Sequence, residues 1–265
     1  MKIIINILIF LIVLIIYLNV NEFLELSDNL NINEMYFTNK LNFNEICRIK
    51  NPLIIYDLSI NSSNILNYLE KNNYVLDIDN YKNNKIKYEN INNLFNKDIS
   101  NSYLSFNNIN SDNKFYKLFE SNDFSIKPLS SVFCNYNIIM ANKNSTLNYH
   151  YDIYDRNILQ IEQGSIEIIL ISPKFINNFD FKVNMKTMSY FTKINEKELS
   201  EKNVPYKKIK LVSGNIINIP YKWIYKIKFL DNSLILNYSY VSHINLLCNC
   251  RDFLFQKIYK EMILK

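Results

Sequence analysis

Asn148-Tyr-His-Tyr-Asp152 and the run behind it, Asn157-Ile-Leu-Gln-Ile-Glu-Gln-Gly164-Ser-Ile-Glu-Ile-Ile-Leu-Ile-Ser-Pro173, decide how this chain is read. The protein has two histidines, two glycines and one tryptophan, and this stretch holds one His and one Gly. Side chains on a strand alternate with period two, so His150 and Asp152 point to the same side of the same strand. From there both reach one metal ion, and a second His would complete the facial set of two imidazoles and a carboxylate that holds Fe(II).

Working outward, Gly164 separates two apolar strand runs, Ile158 to Ile161 and Ile166 to Ile171. A Gln-Gly turn there predicts a hairpin, because glycine takes positive φ at low cost. Gly214 has the same place in Val212-Ser-Gly-Asn-Ile-Ile-Asn-Ile-Pro220. From Val132 to His243 short apolar runs alternate with turn signals, the pattern of an all-β sandwich or barrel.

Upstream, Leu41 to Ile49 predicts a short helix that Pro52 ends, and Leu53 to Asp57 a buried strand. Ser63 is placed to cap a helix to Asn72, with a strand over Tyr74 to Ile78. Short helical patterns follow at Ile91 to Phe95 and Lys114 to Phe119. Asp252 to Leu264 reads as an amphipathic helix whose apolar face takes Phe253, Ile258 and Met262.

Ile3 to Leu18 is uncharged, free of Pro and apolar but for Asn6. Extended to Val20 it makes a helix of about 27 Å, enough for a thin hydrocarbon core. Small residues for a signal-peptide cleavage site are absent downstream, so the segment reads as an uncleaved anchor. Lys2 precedes it, and Glu22, Glu25 and Asp28 follow. That asymmetry places the N-terminus in the cytoplasm and the domain across the membrane. The expected organisation is an anchor over 1–20, a tether over 21–43, one domain over 44–245 and a C-terminal helix over 246–265.

Composition excludes other classes. Asn, Ile, Lys, Tyr and Phe dominate and Ala occurs once, a codon bias that makes Asn-rich stretches poor evidence for disorder. The net charge is +5 and the lysines are scattered. The densest basic run, Lys202 to Lys210, reads as a solvated loop entering a strand, so no nucleic-acid groove is expected. Four cysteines are too few and too dispersed for a disulfide framework, and Cys248-Asn-Cys250 lacks the second pair of a zinc site. Glycosylation triplets at Asn61, Asn144 and Asn237 are what chance gives in so Asn-rich a chain.

In order, Asn44-Glu-Ile-Cys-Arg-Ile-Lys-Asn-Pro-Leu-Ile-Ile-Tyr56, Ser145 to Asp152, Asn157 to Pro173, Ser213 to Tyr225 and Ser233 to Tyr238 resemble the JmjC and cupin-like hydroxylases. With its hydrophobic leader the chain is also similar to the membrane-anchored cupin-like proteins of giant viruses. The resemblance implies a double-stranded β-helix barrel preceded by a transmembrane helix, and Fe(II) and 2-oxoglutarate as cofactors if the protein is active. It makes His150 and Asp152 the first two iron ligands. Thr146, Asn157 and Asn237 fall at or beside co-substrate and pocket positions, Thr146 displaced by one residue. The chain departs from the pattern twice. Tyr225 stands where the second metal His belongs, and Ile166 where a basic residue holds the 2-oxoglutarate carboxylate.

Tyrosine binds metal well only as phenolate, and its pKa near ~10 opposes that at neutral pH. An isoleucine in place of the cation removes a charge-assisted bond from a dianion. His243, eighteen residues past Tyr225 and beyond a strand, reads as a rim residue rather than a replacement ligand. Trp223 reads as a core aromatic at the barrel end. The expectation is therefore a degenerate, non-catalytic module, tethered to a membrane through one span, with no cofactor. It would bind a protein partner or serve assembly, and its C-terminal helix offers a route to a homodimer. The alternative is a hydroxylase with an altered ligand set.

Overall fold

The computed structural model describes residues 2–27, 29–58, 75–79, 86–90, 104–108, 119, 123–184 and 189–263. The helices read at 63–72 and 91–95 lie outside them, as does the one read at Lys114 to Phe119 except for Phe119 itself.

The chain opens with α1, Lys2–Leu24, whose stretch Ile4–Leu24 has mean hydropathy 2.6 and is long and apolar enough to cross a membrane. β1 (Asn33–Tyr36), α2 (Lys40–Cys47) and β2 (Leu53–Tyr56) follow. Asn39 caps α2, its side-chain oxygen accepting from the Asn42 amide at 2.8 Å. The segment read as a tether thus contributes an edge strand, β1, which pairs parallel with β2. β3 (Val75–Asp79), β4 (Ile86–Asn90) and β5 (Leu104–Asn108) come next.

The strand-rich half holds β6 (Ser131–Ala141), β7 (Thr146–Asp152), β8 (Arg156–Gln163), β9 (Ser165–Ile171), β10 (Lys182–Asn184) and β11 (Ser189–Phe191). It continues with β12 (Lys207–Val212), β13 (Ile216–Pro220), β14 (Ile224–Phe229) and β15 (Ser233–Ser242). A 3-10 turn at Pro173–Asn178 and α3 (Glu196–Glu201) interrupt the run. The sequence reading missed α3, which Asn195 caps by accepting from the Glu198 amide at 3.0 Å. The chain closes with α4 (His243–Cys248) and α5 (Cys250–Ile263).

Among the described residues the strands form two sheets, ordered β1-β2-β13-β8-β15-β6-β5-β3-β4 and β10-β11-β7-β14-β9-β12. All pairings but β1 with β2 are antiparallel. The sheets face each other across an interior of Ile54, Leu159, Ile161 and Ile217 from one, and Ile166, Ile168, Leu170 and Ile227 from the other. Each such side chain contributes about 1.5–3 kcal/mol by leaving water. Outside, Phe43 of α2, Phe119 and Ile126 cover the larger sheet. Leu199 of α3, Phe179 and Phe253 of α5 cover the smaller. Phe253 is buried as read, but Ile258 is exposed. The helix turns that residue away from the sheet.

The two glycines correct the expected hairpins. β8 and β9 belong to different sheets, as do β12 and β13, so Gly164 and Gly214 mark corners where the chain crosses the barrel. The corners are bonded to each other: Ser213 N donates to Gly164 O at 3.1 Å and Gly214 N to Ile161 O at 2.8 Å. Both glycines have positive φ, 83° and 89°. At Gly164 a Cβ would also meet Ser233 Oγ at 2.4 Å and Asn232 O at 2.5 Å, so the corner needs glycine for space as well as for φ.

Candidate functional site

Strand register assembles the site. On the smaller sheet Phe191, His150 and Tyr225 form one cross-strand row, and Ser189 lies opposite Asp152. The His150 ring sits between two aromatics, stacked on Phe191 at 5.1 Å between centroids and tilted against Tyr225 at 4.0 Å. Its Nδ1 lies 2.7 Å from Asn148 O. A carbonyl only accepts, so Nδ1 carries the hydrogen and Nε2 the lone pair. Burial lowers the His150 pKa below 6.5 against the pull of Asp152, which keeps the imidazole neutral at pH 7.

Asp152 is enclosed by donors. The Tyr225 hydroxyl donates to Oδ2 at 2.5 Å, Asn157 Nδ2 donates to the same oxygen at 2.9 Å, and Ser189 Oγ donates to Oδ1 at 2.6 Å. Asn157 Nδ2 also lies 3.0 Å from the Tyr225 oxygen. Burial first, then the Asp152 carboxylate, pushes the Tyr225 phenol well above its ordinary pKa, so it is a donor and not a phenolate. From the larger sheet, Ser239 Oγ lies 3.1 Å from Asn157 Oδ1 and 2.9 Å from Asn237 Oδ1. The polar cluster therefore bridges both walls of the barrel at one end.

His150, Asp152, Tyr225, Asn157 and Asn237 thus come together. Thr146 does not join them. Tyr225 pairs with His150 but Ile227 pairs with Leu147, so Asn148 and Tyr149 together oppose Lys226 in a β-bulge. The extra residue reverses the alternation: Leu147 enters the interior, and Thr146 lies opposite Lys228 on the outer side. Ile166 is fully buried in the apolar part of the interior. It pairs with Phe229, four residues along β14 from Tyr225. His243 is exposed at the start of α4, and Trp223 is core, its Nε1 donating to Lys50 O at 3.0 Å. Ser189, Phe191 and Ser239 were not foreseen. They stand 37, 41 and 87 residues from Asp152, His150 and Asp152, and only strand pairing joins them. Among the described residues, no three of His, Cys, Asp and Glu are grouped to share a metal ion.

Two facing antiparallel sheets joined by corner crossings, with a polar cluster at one mouth, define a cupin-type barrel. A family model for the cupin-like domain matches residues 38–245, and the chain belongs to that family. A search of the curated proteins finds no match.

Proposed function

We propose that this protein is a membrane-anchored cupin-like module that binds a protein partner or serves assembly and does not carry out oxygenase chemistry. The observation that carries the reading is the Tyr225 hydroxyl bonded to Asp152 at 2.5 Å. Fe(II) held by a facial set needs three donors with free lone pairs and open positions beside them. In this site Asp152 already accepts on both oxygens, and Tyr225 is held protonated. That leaves His150 Nε2 and an Asp152 oxygen for which a metal would compete with hydrogen-bond donors, one atom short of a facial set. A 2-oxoglutarate dianion would meet Ile166 among Ile168, Phe229 and Leu211, apolar side chains that offer its carboxylate no charge. The residues fit neither group.

A binding role draws support from the ends of the chain. The α1 stretch suits a single membrane span. On α5, Leu254, Phe255 and Ile258 are exposed, a face suited to a protein partner or a second copy. One observation favours the alternative, a hydroxylase with altered ligands. The Nδ1 bond of His150 to a backbone carbonyl is the orientation that metal-binding histidines adopt. Conversion of 2-oxoglutarate to succinate by the purified full chain with Fe(II) separates the two. No succinate above the protein-free blank is expected. Production that is lost in His150→Ala would support the hydroxylase.

A further inference from the structure

At the base of α1 an open cleft of about 520 Å³ lies between the helix end, α2 and the barrel. Its walls carry both signs of charge, Arg48, Lys50 and Arg156 against Glu22 and Asp155. Lys50 Nζ donates to the carbonyls of Glu22, Phe23 and Glu25, closing the end of α1. Phe23 packs on Tyr221 with centroids 4.6 Å apart, which fixes the helix end against the domain. Arg156 is 8% exposed and stacked 4.8 Å over Phe43, its Nη1 held by Asn44 Oδ1 and Ile126 O. Arg48, also on the wall, is exposed and can turn toward a ligand. Asn218 is 2% exposed, and its Oδ1 has no hydrogen-bond partner among the described residues. A buried acceptor left so is destabilising, and a ligand N–H would relieve it.

The uncharged apolar run of α1 ends at Leu18, and the cleft begins at Asn19. If α1 crosses a bilayer, the cleft opens at headgroup depth. We infer that it binds the headgroup of a membrane phospholipid that carries a phosphodiester and a primary ammonium. Arg48 and the fixed Arg156 charge face the phosphodiester. Asp155 and Asn218 Oδ1 accept from the ammonium, which a quaternary amine cannot satisfy because it has no N–H. The inference rests on the membrane-anchor reading.

Native mass spectrometry of the full chain in detergent, titrated with phosphatidylethanolamine, phosphatidylcholine and phosphatidylglycerol, tests it. One phosphatidylethanolamine per chain is expected, retained at least about tenfold better than the other two, which corresponds to about 1.4 kcal/mol. Asp155→Asn and the surface change Arg48→Gln should each weaken it about tenfold. Equal retention of the three lipids, or retention untouched by both variants, overturns the headgroup site. Chain-free glycerophosphoethanolamine binding as tightly as the lipid overturns the membrane source. Alkaline carbonate extraction of membranes is read separately. Release of the chain overturns the anchor and this site with it, whereas a retained chain without lipid preference overturns the site alone.

Discussion

The Tyr225 hydroxyl lies 2.5 Å from Asp152 Oδ2, so the side chain that the resemblance sets at the place of a third metal ligand is hydrogen-bonded to the one it sets at the second. Both residues are buried, Tyr225 at 3% and Asp152 at 8% exposure. The bond closes the polar mouth of the barrel from within. Asn157 of β8, bonded to both groups, ties that pair to the larger sheet.

Tyr225→Phe keeps the ring against His150 and removes only this donor. The buried carboxylate then has Asn157 and Ser189 alone. A loss of about 1–3 kcal/mol in urea unfolding is expected. An unchanged midpoint would mean that water replaces the hydroxyl without cost.

His150 gives stability a pH dependence of known sign. Its folded pKa is lowered from 6.5 by burial, so below that pH the unfolded chain binds a proton that the folded chain refuses. Stability should fall as pH drops below about 6.5, by up to about 1.4 kcal/mol per unit until the folded pKa is reached. Urea midpoints at pH 7.5 and 5.5, compared between the natural chain and His150→Gln, check this. The variant should lose that part of the slope, since His243 is exposed and common to both.

The interior around Ile166 is packed, which Ile166→Arg tests directly. An unpaired guanidinium among Ile168, Leu211 and Phe229 should cost about 3–5 kcal/mol or prevent folding. Ile166→Leu should cost less than about 1.5 kcal/mol. If Ile166→Arg folds with stability intact, room for a charged group exists there.

The two corners separate conformation from space. Gly214→Ala meets nothing within 4 Å and bears only the cost of its φ of 89°, about 1–2 kcal/mol. Gly164→Ala adds the collision with Ser233 and Asn232 and should be clearly the more destabilising. Equal thermal shifts in the two variants would contradict this.

These residues also mark where sequence stops informing structure. The pairing of His150 with Asp152 was legible because it needs only strand alternation inside one strand. Thr146, four residues earlier and set beside the co-substrate position by the resemblance alone, lies on the other face because a single bulge at Asn148 and Tyr149 reverses that alternation, and nothing local announces it. Gly164 and Gly214 were legible as turns, since φ is a local property. That they turn the chain between sheets depends on which distant strands pair, which no local pattern encodes. Ser189 and Ser239 were invisible for the same reason. Tyr225 and Ile166 could be found because a resemblance fixed their places, but the bond from Tyr225 to Asp152 needed the fold.

The most direct measurement is an anaerobic Fe(II) titration of the purified full chain by calorimetry, with and without 2-oxoglutarate. The account predicts no saturable binding in the micromolar range in either condition. Stoichiometric binding that 2-oxoglutarate strengthens and His150→Ala abolishes would contradict it, because Asp152 would then have exchanged the Tyr225 hydroxyl for a metal.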